Sequence, residues 1–303
     1  MKVQMIYDQG TALYREDGLF VVGCRLFGVL DGTSAPYAPK YPPKMFNGMS
    51  GGEMVSRLCE RLCYVQPDIN LEQLIQFLNE SVGKEQEIAG ILHNDAGELA
   101  GSTFAFARVN KKTIEICQAG DCFALWVTRD GKTYITQNQV RAHDTDMNAE
   151  LDRLQMEVAA ERNIKLSVKL TEEELKPIRG EVWNRFCPTL KEARRQDVNN
   201  PTSPRAYGRL DGNPRLMKLM TFYKFPRQDL RILILFSDGM LPWSRMKNMT
   251  DEQVGNEMHK IYKKSGLRGI LAKARHEERK LRAKRYLSYA EATAIALNFS
   301  DEK

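Results

Sequence analysis

The sequence has no Cys-x-x-Cys pair, no apolar run approaching membrane-spanning length, no internal repeat and no low-complexity segment. Each absence removes a class of protein. The six cysteines (Cys24, Cys59, Cys63, Cys117, Cys122 and Cys187) sit largely in apolar runs, where a free thiol packs as a small hydrophobe. Cys59 and Cys63 lie one helical turn apart, but no second cysteine or histidine pair completes a tetrahedral zinc set. The four histidines, His93, His143, His259 and His276, are scattered without ligand spacing. No segment holds the roughly 20 apolar residues that span a bilayer, so no membrane association is expected. Met1-Lys2-Val3-Gln4-Met5 shows neither the apolar core nor the cleavage site of a signal peptide. Reduced thiols and a cytoplasmic location are the expectation.

The chain of 303 residues is long enough for one large domain or two small ones, and 42% hydrophobic with 28% charged residues is ordinary for a globular protein. Its net charge of +6 is local. Between Arg245 and Arg285 there are thirteen Lys or Arg against five Asp or Glu, which leaves the remainder slightly acidic. A generally nucleic-acid-coated surface is therefore excluded, and one basic helical region is implied.

What the sequence does contain is a pattern that occurs twice. Phe27-Gly28-Val29-Leu30-Asp31-Gly32 and Leu233-Ile234-Leu235-Phe236-Ser237-Asp238-Gly239 are apolar strands that each end on Asp-Gly. Asp-Gly after a strand is also among the commonest turn signals. Two such strands could equally bring two carboxylates to one divalent cation on a rigid support.

Around these, Leu19 to Leu30 reads as paired strands turning near Gly23, and a proline-rich loop runs from Ser34 to Gly52. Ser50 caps a helix with Met54, Leu58, Leu62 and Val65 on one face, and a second helix runs from about Leu71 to Ile91. Residues 101–136 read as an antiparallel meander with turns at Asn110-Lys111-Lys112, Ala119-Gly120-Asp121 and Arg129-Asp130-Gly131. In the stretch from about 139 to 228, Asn148 to Ile164 looks helical, and Pro177, Pro188, Pro201, Pro204 and Pro214 punctuate the rest. It reads as an insertion within a single domain spanning 1–303, because apolar strands resume at Leu230. Helices from Thr250 to Lys264 and from Leu267 to about Arg285 precede a terminal strand, Ala292 to Phe299.

In order along the chain, Phe27 to Gly32, Ser50-Gly51-Gly52, Gly101-Ser102-Thr103, Ala119-Gly120-Asp121-Cys122, Leu235 to Gly239 and Ala292-Thr293-Ala294-Ile295 resemble the metal-dependent serine/threonine protein phosphatases of the type 2C (PPM) family, in a divergent, prokaryotic-like form. The resemblance runs from about Glu16 to Phe299. It implies an α+β fold, a four-layer αββα sandwich of two antiparallel sheets flanked by helices. It further implies a binuclear Mn²⁺ or Mg²⁺ site, with a third ion in some members. Asp31 matches the carboxylate that bridges the two metals, Gly32 the carbonyl ligand, Asp238 a second aspartate ligand, and Asp121 the ligand of the additional metal. Glu16 and Asp17 match an acidic pair that holds metal-bound water. Hard dications take oxygen ligands and lower the pKa of bound water, so catalysis needs no covalent enzyme intermediate. No nucleophilic Cys or Ser constellation is present here.

Three positions depart from the pattern. The last aspartate ligand falls on Ala290; either the neighbouring Glu291 reaches into the site or one metal loses a ligand. Thr33 stands where some members carry a histidine. The phosphate-binding arginine has Arg15 as its one candidate, beside Glu16, where a solvated arginine is the alternative reading. The resemblance implies a phosphorylated protein substrate. Its alternatives are a weak or inactive relative that binds a phosphorylated partner, and a hydrolase of small phosphoesters. The basic helix 267–285 is either a solvated face or a docking surface for an acidic partner. It lacks the interleaved aromatics that stack nucleic-acid bases, so nucleic acid is disfavoured.

Overall fold

The computed structural model describes every residue except 67, 92–94, 166–170, 243–245, 247, 286–289 and 300–303, together with the side chains of 172 and 281–285. The chain runs β1 (Lys2–Asp8), β2 (Gly18–Val22), β3 (Leu26–Thr33), a short hairpin β4 (Met45–Phe46) and β5 (Met49–Ser50), α1 (Gly51–Val65) and α2 (Leu71–Ile88). It continues through β6 (Gly101–Val109), β7 (Thr113–Ala119), β8 (Phe123–Thr128), β9 (Thr133–Ile135), α3 (Arg141–Glu161) and α4 (Glu172–Asp197). β10 (Thr221–Pro226), β11 (Leu230–Phe236), α5 (Asp251–Arg285) and β12 (Ala292–Asn298) complete it.

Two five-stranded antiparallel sheets face each other, in the orders β1-β12-β11-β8-β9 and β10-β7-β6-β3-β2. Strand alternation explains the layering. On β3, Phe27 and Val29 point between the sheets, where they meet Ala105, Leu233, Leu235, Ile295 and Leu297. Leu26 and Leu30 point the other way, into a core with Leu58, Cys59 and Cys63 of α1 and Leu74, Ile75 and Leu78 of α2. Across the sandwich, Ile232, Ile234 and Phe236 of β11 pack under Val254, Met258 and Ile270 of α5. Strands covered on both faces read as continuous apolar runs, so β3 and β11 stand out in the sequence. The αββα expectation holds.

Helix boundaries follow local chemistry. Ser50 caps α1 by accepting the Glu53 N–H at 3.2 Å, and the hydroxyl of Thr250 accepts the N–H of Gln253 at 3.3 Å where α5 begins. The two basic-region helices form one element that breaks at Gly266, whose φ of 63° suits glycine. All six cysteines are free, and five are buried.

The segment 139–228 differs most from its sequence reading. Pro177 and Pro188 do not interrupt it but lie inside α4, a helix of 26 residues. Each proline costs a backbone hydrogen bond. Packing of Ile178, Val182 and Phe186 against Leu154 and Val158 of α3 offsets that loss. The pair is antiparallel, since His143 near the start of α3 meets Asp197 at the end of α4. The proline-rich loop docks on α4 through Lys40 N–H to Asn184 Oδ1 at 2.8 Å and Cys187 Sγ to the Pro36 carbonyl at 3.2 Å. β1 and β10, which carry no clear signal in the sequence, are edge strands of the two sheets.

Candidate active site

Four strand ends deliver carboxylates to one end of the sandwich. Asp31 lies near the end of β3, opposite Thr103 near the start of β6. Gly120, with φ of 81°, turns the chain from β7 to Asp121 just before β8. Asp238 follows β11, whose last residue Phe236 pairs with Phe123 at the start of β8. Asp17 immediately precedes β2, where Gly18 pairs with Leu30 of β3.

These groups feel one another. Burial raises the Asp31 carboxyl well above the usual carboxylate range; the charges of Asp17, Asp238 and Asp121 raise it further, and a hydrogen-bonding contact with Asp238 adds to this. Asp17 is 4% exposed. Burial first, then the charges of Glu291 and Asp238, push it up to about 8, against a 2.8 Å hydrogen bond from the Ser237 hydroxyl. Asp121 is also raised by burial, opposed by the Thr103 hydroxyl at 2.7 Å.

Glycines let the backbones under this cluster touch. A Cβ on Gly32 would lie 2.3 Å from the Glu16 carbonyl oxygen and 2.6 Å from that of Gly52. The Ser56 hydroxyl donates to the Glu16 carbonyl at 2.5 Å. The Glu16 carboxylate accepts from the hydroxyls of Ser34 and Ser50 beside the α1 N-terminus.

Glu16 and Asp17 are thus neighbours in sequence with different surroundings. Asp17 belongs to the carboxylate cluster, and Glu16 is tied to α1. Glu291 lies on the Asp17 side. Its carboxylate accepts the N–H of Glu16 at 2.7 Å and of Asp17 at 3.2 Å, and the Tyr7 hydroxyl at 2.7 Å. Ala290 is exposed, its main chain held by Arg275 and Glu278 of α5. Arg15 stacks over the Tyr7 ring, 4.6 Å from its centroid.

Three side chains that sequence reasoning missed come from the α3–α4 insertion. A cavity of about 300 Å³ opens over Asp31, Asp121 and Asp238, and His143, Asp144 and Arg194 line it as well. Burial, then the charges of Asp121 and Asp238, hold Asp144 well above the usual carboxylate range. His143, 3% exposed, has its Nδ1 2.9 Å from Asp197 Oδ2, and burial lowers its pKa despite that carboxylate. Met147, Leu151, Trp183, Phe186 and Leu190 form the apolar wall of the cavity. One signal existed for Arg194: it continues the four-residue spacing Val182, Phe186, Leu190 of an inward helix face.

The other histidines are elsewhere: His259 meets the Thr133 hydroxyl at 2.9 Å, and His93 lies outside the described residues. On the basic helix, Arg275 pairs with Asp8 and Glu278, and Lys273 and Lys280 pair with Glu277. Among the described residues no helix is long and apolar enough to cross a membrane.

Oxygen-only donors on rigid strand ends suit a hard divalent cation, and their mutual repulsion is what a cation relieves. Among the described residues, however, no three acidic, histidine or cysteine side chains already stand in a metal-ligand arrangement. The donor type fits; a cation would have to draw the carboxylates together.

No protein-family model and no curated protein matches this sequence. Solved structures do. The serine/threonine phosphatase PstP/Ppp of Mycobacterium tuberculosis aligns over 98% of this chain and 97% of its own, at TM-score 0.51 and 15% identity. The chain has the serine/threonine phosphatase fold. Stp1 from Staphylococcus aureus aligns over 98% of this chain and 94% of its own, at TM-score 0.54 and 14% identity. The catalytic domain of PstP in complex with two manganese ions aligns over 97% and 96%, at TM-score 0.53 and 14% identity. The resemblance read from six short motifs therefore holds at the level of fold.

Proposed function

We propose that this chain is a Mn²⁺- or Mg²⁺-dependent phosphatase that hydrolyses phosphoserine or phosphothreonine of a protein, as one catalytic domain over 1–303 carrying the 139–228 insertion. The observation that carries the reading is the position of Asp31, which feels the charges of Asp17, Asp121 and Asp238 together. Such a hub is what a bridging ligand of a binuclear centre requires. Asp31, Asp238 and Asp17, with the Gly32 carbonyl, would hold the cations at the sheet ends, and Asp121 with Asp144 would serve a further ion. When bound, the cations supply a nucleophilic water at neutral pH and offset charge on the phosphoryl oxygens. Asp31 and its neighbours would orient the attacking water toward phosphorus. Glu16 fixes the β2 approach to α1 through Ser34 and Ser50, and Glu291 fixes the backbone that presents Asp17. Glu291 acts here as a positioning group, since its oxygens already serve three donors.

A second reading is a phosphatase-like protein that binds a phosphorylated partner without turning it over. Exposed Ala290 at the expected ligand position favours it. One experiment separates the two: hydrolysis of an aryl phosphate and of a phosphothreonine peptide with added Mn²⁺, with Asp31→Asn as the blank. Peptide hydrolysis that needs Mn²⁺ and vanishes in the variant supports the proposal. Hydrolysis of the aryl phosphate alone points to small phosphoesters. Folded protein with no activity above the blank leaves the binding reading.

A further inference from the structure

Arg194 sits on the last turn of α4, at the edge of the cavity whose floor holds Asp31, Asp121 and Asp238. Its Nη1 donates to the Ser34 carbonyl at 2.7 Å, and its Nη2 donates to the Thr33 hydroxyl at 2.8 Å. Both acceptors are neutral. Its Nε is sealed from solvent and has no hydrogen-bond partner. Two other arginines of α4 are paired with carboxylates, Arg185 with Glu161 and Glu181, and Arg195 with Asp95 and Glu192. No carboxylate lies within ion-pair distance of Arg194 among the described residues. A half-buried guanidinium with five donors and two neutral acceptors carries a desolvation cost that an anion would relieve.

We infer that Arg194 is the residue that grips the substrate's phosphoryl oxygens, a role the insertion supplies in place of an arginine near the N-terminus. The inference rests on the phosphatase reading above. Three features fit it. Thr33 and Ser34 follow Asp31-Gly32 directly, so the two bonds that hold Arg194 fix its fork relative to Asp31. The planar fork matches two oxygens of a phosphate, which a lysine ammonium cannot. Arg15, the candidate nearest the acidic pair, does not line the cavity and is stacked on Tyr7. Phe186 and Leu190 of α4 line the same cavity, an apolar wall for the groups that flank a bound phosphate.

The test uses the full chain loaded with Mg²⁺, inorganic phosphate as the calorimetric ligand, and an aryl phosphate as substrate. Arg194→Gln is expected to raise both the phosphate Kd and KM by about 10- to 100-fold, the range of a lost charge-assisted hydrogen bond. Arg194→Lys, which keeps the charge without the fork, should fall between. A folded Arg194→Gln variant with unchanged Kd and KM overturns the inference and, if the wild type hydrolyses the substrate, leaves the phosphatase reading intact. Phosphate binding that depends on Arg194 in a protein without turnover supports the inference and removes the catalytic reading. Should Arg194→Gln fail to fold, the wild-type Arg194 Nη–H resonance, assigned by its loss in Arg194→Lys, decides. It should shift on phosphate addition, and a signal that stays put overturns the inference.

Discussion

Glu291 holds the main-chain N–H of Glu16 at 2.7 Å, joining the start of the terminal strand to the acidic pair 275 residues earlier. That bond and the one from Asp17 N–H engage Oε2, while the Tyr7 hydroxyl donates to Oε1. On the proposed reading, a group so placed sets the position of Asp17 and does not itself bind the cation. Glu291→Ala should therefore weaken Mn²⁺ binding by about 10- to 100-fold, as loss of an outer positioning group does. Asp31→Asn should abolish binding in the same calorimetric titration. If Glu291→Ala equals Asp31→Asn, Glu291 is a direct ligand; if it changes nothing, it has no part in the site.

Gly239 and Glu291 touch through backbone. A Cβ on Gly239 would fall 1.6 Å from the Glu291 carbonyl oxygen, and backbone cannot yield as a flexible side chain can. Gly239→Ala must push β12 away from Asp238. We expect a loss of about 3 kcal/mol or more in urea unfolding, at the upper end for overpacking, with cation affinity falling in parallel. Wild-type stability would show that β12 relaxes freely and is not a fixed wall of the site.

The contrast between Asp238 and Arg194 explains what could be read from the sequence. Asp31 and Asp238 end strands buried on both faces, and such strands announce themselves as continuous apolar runs with Asp-Gly behind them. Asp31 and Asp238 were legible for that reason, whereas the sandwich, Asp17 and Asp121 came from the resemblance of six short motifs in order. Arg194 stands in Lys191–Gln196, where Ala193 is the one apolar residue, and beyond its four-residue spacing from Leu190 the proposed role follows from where α4 lies on the β3 loop. Pro177 and Pro188 further disguised that helix, because tertiary packing overrode their local preference. Edge strands β1 and β10 gave the pattern too little contrast, since one side of β1 mixes Lys2, Gln4 and Asp8 with Ile6 and the open side of β10 sets Phe222 beside Lys224.

Arg209 and Asp211 form a fully buried pair, with Arg209 Nε 3.2 Å from Asp211 Oδ2. The Arg209 guanidinium also donates to the Ala96 and Leu99 carbonyls, and Asp211 accepts from Asn199. Removing one charge strands the other away from water. Arg209→Met should cost about 3–5 kcal/mol. The double variant Arg209→Met with Asp211→Asn should recover part of that loss. Additive losses in chemical denaturation would mean that the two charges do not act as a pair.

The buried carboxyl of Asp17 gives stability a pH dependence of known sign. Its folded pKa of about 8 lies above the unfolded value of 3.8, so between these limits the folded state binds more protons than the unfolded. Unfolding free energy must then fall as pH rises through that window, by at most about 1.4 kcal/mol per pH unit for one group. Asp31, raised in the same direction, adds to the slope. The chelator-treated protein should melt at a lower temperature at pH 8 than at pH 5. Asp17→Asn should flatten that slope, because the amide needs no proton to stay neutral. Millimolar Mg²⁺ should also raise the melting temperature most at pH 8, where the cation takes the place of the missing protons. If the chelated protein is instead more stable at pH 8, its carboxylates are not crowded as the geometry requires, and the cation-binding reading loses its physical basis.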